Sequence, residues 1–274
     1  MGKIENENIE IELLLEAIYQ KYGYDFRKYS RASIKRRILH RLAKTDLDSV
    51  SEMQHRLLYD VEFFDKLLLD LSVNVTEMFR DPNFYLDVRK EVFPVLKTYP
   101  YLKIWHAGCA TGEEVYSLAI MLREEGLYDR ALIYATDFNE VVLKKAKQGI
   151  IPLNEIQKYT ANYQKAGGKE SFADYYTAKY NSALIDQSLK KNIVFSDHNL
   201  ATDGVFGEMN LIFCRNVLIY FKKELQNRVI GLFRESLCNL GFLCLGSKES
   251  LMFSEYEKNF EPTVKETKIF RKIS

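Results

Sequence analysis

The N-terminal part of the chain repeats its apolar positions at helical spacing. Leu13, Leu14, Ala17 and Ile18 form one stripe, Ile34, Ile38 and Leu42 a second, and Phe63, Phe64, Leu67, Leu68 and Leu71 a third. Such spacing turns one face of each helix inward. No alternating pattern interrupts residues 9–72, so this region reads as a small all-helical domain. From about residue 101 the pattern changes. The short apolar runs "YLKIWHAG" and "ALIYATD" are each followed by a helical period, and "KNIVFSDHN", "NLIFCRN" and "GFLCLGS" are three further strand candidates. "NEVVLKKAKQG" predicts a helix stopping at Gly149, and "KKELQNRVIGLFRESLCNLG" an amphipathic helix between the last two strands. Strands alternating with helices predict an α/β fold on a parallel, Rossmann-like sheet. The alternating tail "TVKETKIFRKI" predicts an antiparallel edge strand.

Two segments fall outside this alternation. "RDPNFYLDVRKEVFPVLK" joins the two halves, with Asp81 as a helix cap and Pro82 in the first turn. Residues 150–190 hold Gly167-Gly168, many tyrosines and a hairpin candidate, "YYTAKYNSALI". Their aromatics need burial, so they read as an insertion between sheet units rather than a linker. The expected division is a helical domain over 1–75 and an α/β domain over 76–274 that carries the 150–190 insertion.

Composition narrows the class of protein. Of the 274 residues, 47% are apolar and 28% charged, an ordinary globular mixture. The net charge of +1 supplies no global field toward nucleic acid or membrane. Cys109, Cys214, Cys238 and Cys244 form no C-x-x-C pair, which implies buried thiols in a reduced compartment. The four histidines are scattered, against a zinc site. No signal-type or membrane-length apolar run is present, so the expected location is cytoplasmic.

The stretch "KIWHAGCATGEEVYSLAI" carries the candidate chemistry. An apolar strand leads into Gly108 and Gly112, and a helical period opens at Glu113, the layout of a nucleotide-binding turn. Asp137 closes the next strand, where a carboxylate can accept both hydroxyls of a ribose. NAD and S-adenosylmethionine both fit so far. Glu113 and Glu114 decide between them. A pyrophosphate placed on the helix N-terminus would meet two carboxylates, whereas the ammonium and sulfonium of S-adenosylmethionine would be attracted.

Beyond these residues, "VNVTEMFRDPNFY", "GCATGEEVYSLAI", "ATDFNEVVLKKAKQGI", "HNL" and "FCRNVLIYF" occur in order. Over roughly residues 15–274 the chain resembles the chemotaxis receptor methyltransferases of the CheR type. The resemblance implies a class I methyltransferase fold that moves a methyl group from S-adenosylmethionine to receptor glutamates, leaving S-adenosylhomocysteine. It implies that Asn74, Thr76 and Arg80 reach the cofactor, that Glu113 meets its methionine or sulfonium portion, and that Asp137 meets its ribose. Asn199 and Leu200 would flank the adenine, with Arg215 and Asn216 near the methyl and Tyr220 one turn further on. A glutamate acceptor is ionised at pH 7 and needs no general base. Arg80 or Arg215 can hold it, since a guanidinium matches a carboxylate.

Arg31, Lys35, Arg36, Arg37 and Arg41 lie in an acid-free basic run. They read either as a solvated face or as a docking surface for an acidic partner, a receptor helix bundle. Balanced charge and the lack of interleaved aromatics disfavour nucleic acid. Membrane association is expected only through the receptor. The insertion occupies the place of a small β-subdomain that grips a receptor tail in some family members, but its sequence departs from theirs. Ser247-Lys248 likewise replaces a histidine and serine, so no role is assigned there. Two other readings remain: the same fold acting on RNA or a small acid, and a cofactor-binding module without transfer.

Overall fold

The structure, a computed structural model, describes residues 3–72 and 76–274. It divides into two compact units. The first contains α1 (Lys3–Tyr22), α2 (Arg31–Leu42), α3 (Val50–Tyr59) and α4 (Val61–Leu71). α1 packs on α3 and α2 on α4. Their shared core holds Ile11, Leu14, Leu15 and Ile18 of α1, Ile34 and Ile38 of α2, and all five apolar residues expected from α4. Leu13 is the exception to the expected stripes, being 52% exposed, because the buried face of α1 is rotated toward Ile11 and Leu15. Ser49 and Asp60 cap α3 and α4 by accepting the backbone N–H groups of Glu52 and Phe63.

One later segment also belongs to this unit. Ile219–Arg228, which the sequence reading placed inside the 76–274 domain, groups with the helices. Ser30 N–H donates to the Tyr220 carbonyl at 2.7 Å, Lys222 N–H donates to that of Lys28 at 2.9 Å, and Phe221 forms a bridge with Tyr29.

The second unit is a three-layer α/β domain. It begins with α5 (Pro82–Asp87) and α6 (Phe93–Leu96), then β1 (Leu102–Ala107), α7 (Glu113–Glu124), β2 (Ala131–Asp137) and α8 (Glu140–Gln148). The insertion supplies β3 (Ile150–Pro152), α9 (Ile156–Lys165), β4 (Tyr176–Lys179) and β5 (Ser182–Ile185). The chain continues through β6 (Ile193–Asp197), β7 (Met209–Cys214), α10 (Lys223–Ser236, of which this unit holds the part from Val229), β8 (Leu237–Leu245), β9 (Phe260–Val264) and β10 (Ile269–Lys272). The main sheet has the order β6-β2-β1-β7-β8-β10-β9. The first five strands run parallel, and β10 is antiparallel to both neighbours. Strand order reverses between β1 and β7, so the crevice at their carboxyl ends is where such sheets bind ligands. Among the described residues no helix is long and apolar enough to cross a membrane, and no group of three or more His, Cys, Asp or Glu side chains converges as metal ligands.

Three local readings change. The tail is a hairpin rather than one strand: β9 forms the edge and β10 lies inside it, with Lys268 turning the chain at φ 59°. A left-handed turn on a lysine carries no glycine signal. The amphipathic helix ends at Ser236, and Leu237 already pairs with β7. In the insertion, the expected hairpin forms as β4 and β5, and β3 completes a three-stranded antiparallel sheet. α9 was not anticipated. Its buried face is made of Tyr159 and Tyr163, four residues apart, so the helical period is carried by aromatics.

Candidate functional site

Register brings the candidate residues to one edge. β1 and β2 pair from Leu102↔Ala131 to Ala107↔Thr136, and β2 pairs with β6 up to Asp137↔Asp197. Gly108, Asp137 and His198 therefore leave the sheet side by side. The loop after β1 is pinned to the end of β2: the N–H groups of Gly108 and Cys109 both donate to the Thr136 carbonyl, at 2.8 and 2.9 Å. Gly108 sits at φ 75°, and a Cβ there would lie 2.6 Å from Val217 Cγ2. Gly112, at φ 91°, is buried against Ala146, so it is a packing position rather than an open one.

Asp137 is 8% exposed. Its Oδ2 accepts the Ala110 N–H and its Oδ1 the Asn139 N–H, both at 3.0 Å. Burial raises the carboxyl's pKa, and these backbone donors act against the rise. The Phe138 N–H is a third backbone donor to this carboxylate, which leaves it acceptor capacity for one further donor. The cap of α8 is Asn139, whose side chain accepts from Val141 N–H at 2.9 Å, so Asp137 is free of that duty.

The two glutamates separate sharply. Glu113 is half-buried at the mouth of the loop, accepts the Thr111 hydroxyl at 2.6 Å, and has its pKa raised by burial. Glu114 lies one residue further around the helix and points inward. It pairs with Arg215 Nη1, lies 3.1 Å from His106 Nε2, and accepts the Tyr85 hydroxyl at 3.2 Å. Burial alone would raise this carboxyl; Arg215 and His106 outweigh it and hold Glu114 at about 2. Burial and the adjacent Glu114 together raise the Tyr85 phenol.

This overturns one expectation. Arg215 was a candidate holder of the incoming carboxylate, yet its side chain is 1% exposed, with Nη1 on Glu114 and Nη2 on Asp81 at 2.7 Å. A guanidinium already balanced by two acids has neither the access nor the charge to take a third. Asp81, expected to cap α5, turns its carboxylate to Arg215 and makes no cap hydrogen bond.

Arg80 is the contrasting arginine. It is half-buried, and among the described residues no side chain or carbonyl engages its guanidinium. The backbone on either side lies in the left-handed region, with Phe79 at φ 53° and Asp81 at φ 58°. Strain of that kind persists only where surroundings enforce it. Phe79 is fully buried, its N–H donates to Ser117 Oγ at 3.0 Å, and its ring packs against Tyr85 and Tyr163. Thr76 is half-buried three residues before Phe79, and Asn74 lies outside the described residues.

Asn199 and Leu200 follow β6. His198 N–H donates to the Asp137 carbonyl at 3.2 Å, Asn199 N–H to Asp203 Oδ2 at 2.8 Å, and Leu200 is buried. Asn216 closes β7 at φ 62°, its N–H held by Glu249 Oε2 at 3.0 Å. Glu249 was assigned nothing from sequence. Tyr220 falls in the helical unit, half-buried, its ring 5.3 Å from the Arg37 guanidinium.

The basic run is also revised. Arg31 pairs with Glu12 at 3.0 Å, Lys35 with Glu7 at 2.6 Å, and Arg41 with Asp70. Arg37 donates to the carbonyls of Asp70, Leu71 and Ser72 at 3.1 to 3.2 Å. Acids and carbonyls of α1 and α4 satisfy four of the five cations, and Arg36 alone of these is exposed.

A mostly parallel sheet with this strand order, a glycine loop ending on an acid and an aspartate at the end of the next strand, together with the family match below, define a Rossmann-like, S-adenosylmethionine-dependent methyltransferase. Comparison with known families agrees over both units. The SAM-binding domain of CheR methyltransferases matches residues 74–269, and the all-alpha CheR domain matches residues 9–72. The chain belongs to the CheR methyltransferase family. It is 59% identical over 267 residues to a Pseudomonas putida protein named Cher3, covering 97% of this chain and 98% of that one. It is 31% identical over 238 residues to the chemotaxis protein methyltransferase of Listeria monocytogenes, covering 84% and 86% of the two chains. For the Salmonella typhimurium chemotaxis protein methyltransferase the identity is 27% over 268 residues, covering 92% and 84%.

Proposed function

We propose that this protein methylates glutamate side chains on the cytoplasmic helices of chemoreceptors. The residues at the strand ends fit the cofactor: Gly108 makes the left-handed turn at the end of β1, Glu113 offers a half-open carboxylate to a cation, and Asp137 keeps acceptor capacity for a ribose hydroxyl. Asn199, Leu200, Asn216 and Thr76 complete the assigned cofactor contacts. Bound there, S-adenosylmethionine supplies an electrophilic methyl group on its sulfonium.

The observation that carries the choice of acceptor is Arg80, a half-buried guanidinium with no partner among the described residues, held between two left-handed residues. A carboxylate acceptor needs such a group to orient it and to offset its partial dehydration. It arrives ionised, so no side chain has to remove a proton. Receptor docking is assigned to the exposed side of α2 around Arg36, and a cytoplasmic site of action follows from the substrate.

The test is transfer of labelled methyl to receptor-containing membranes, followed by alkali. Release of the label as methanol, with turnover in Arg80→Ala lower by about 10²-fold and partly restored in Arg80→Lys, is the expected result. Alkali-stable label would place the acceptor on nitrogen, carbon or nucleic acid. Normal turnover in Arg80→Ala would remove its carboxylate-holding role.

A further inference from the structure

Glu249 is a buried carboxylate, 4% exposed, on the loop after β8, and it is spent on the backbone of another loop. Its Oε2 accepts the N–H groups of Gly246 at 2.5 Å and Asn216 at 3.0 Å, and its Oε1 accepts that of Val217 at 2.8 Å. Burial raises its pKa, against the pull of these donors. Asn216 is the left-handed residue that turns the chain away from β7. Gly246 lies so close to it that a Cβ would stand 2.7 Å from Asn216 N and 2.9 Å from its Nδ2. Val217, the other residue held by Glu249, packs on Gly108, where any Cβ would meet it at 2.6 Å. Three strand ends are thus joined: β8 through Glu249 and Gly246, β7 through Asn216 and Val217, and β1 through Gly108.

We propose that Glu249 is a positioning residue for the cofactor site, its carboxylate fixing Asn216 and Val217 and, through Val217, the Gly108 turn. It touches no reacting atom. This rests on the reading that the ends of β1 and β7 face the cofactor. A carboxylate suits the task because it is acceptor-only, with enough lone pairs for these donors and for the Leu218 N–H that also reaches it. Glutamine offers a single acceptor oxygen and turns an NH2 group toward backbone N–H groups.

The test measures S-adenosylhomocysteine affinity by calorimetry in the purified full chain, on protein whose circular dichroism matches wild type. Glu249→Gln and Gly246→Ala should each bind about tenfold or more weakly, as expected when an outer partner of a binding group is lost. A role in folding alone would lower the unfolding midpoint and leave the affinity of the folded protein unchanged. Wild-type affinity in folded Glu249→Gln overturns the proposal. If that variant does not fold, Gly246→Ala decides: weakened binding supports the proposal and unchanged binding overturns it. Glu113→Gln separates the two readings. Weakened binding there with normal binding in Glu249→Gln keeps the cofactor placement and removes the role of Glu249, and normal binding in both removes both.

Discussion

The open ends of the parallel strands and the buried charge cluster next to them are built partly from adjacent residues. Glu113 belongs to the open region and Glu114 to the buried one. Successive helical residues point about 100° apart, so one dipeptide serves both. The environments then assign the roles. A fully buried carboxylate has to be paired, and Glu114 has Arg215, His106 and Tyr85 around it. A half-buried carboxylate bonded by the Thr111 hydroxyl and its own backbone N–H retains capacity for a ligand. The same contrast separates the two arginines: Arg215 is consumed by two acids, while Arg80 has no partner among the described residues. Residue type alone does not mark a site. What marks it is charge that the fold leaves uncompensated.

The largest expected effect comes from breaking the closed region. Glu114→Gln removes the main counter-charge of a buried guanidinium and should cost about 3–5 kcal/mol of unfolding free energy, read by urea titration. Next is acid sensitivity. Glu114 titrates near pH 4.3 in an unfolded chain and at about 2 in the fold. Its folded pKa is lowered, so its contribution is fully present above the unfolded value and is lost as pH falls toward 2. The total is on the order of 3 kcal/mol. Glu113, Asp137 and Glu249 act in the opposite sense, because burial raises their folded pKa values and makes their ionisation cost stability as pH rises. Unfolding free energy measured from pH 6 to 2 should fall more steeply in wild type than in Glu114→Gln.

A smaller contrast lies within α2. Arg37→Ala leaves three carbonyls at the end of α4 without their donor and should cost about 1–3 kcal/mol. Arg36→Ala, at an exposed neighbour, should stay within about 0.5 kcal/mol. Equal losses at the two positions would contradict the division of this helix into satisfied and free cations.

Much of the sheet was legible because its strands are short apolar runs between breakers, as in "KIWHAG" and "NLIFCRN". The Gly108 turn and Asp137 were legible for a related reason: a parallel sheet puts every strand end on one edge. What escaped depends on contacts distant in sequence. The acids that satisfy Arg31, Lys35 and Arg41 lie on α1 and α4, so a run without internal acids was read as a free surface. Arg215 meets Glu114 across about a hundred residues of chain. Glu249 left only a faint signal, an acid three residues after the glycine that ends an apolar strand. Turns on Lys268 and Asp81 use left-handed residues other than glycine, which composition does not announce.

The most direct measurement is the affinity for S-adenosylmethionine of Glu113→Gln, by calorimetry, beside its unfolding midpoint. The change keeps the shape and removes the charge. If the open carboxylate holds the cationic cofactor, binding weakens about tenfold, worth about 1.4 kcal/mol, while the midpoint does not fall below the wild-type value. Unchanged affinity would mean that Glu113 only complements the helix dipole, and the division between an open, ligand-holding acid and a closed, fold-holding one would be wrong.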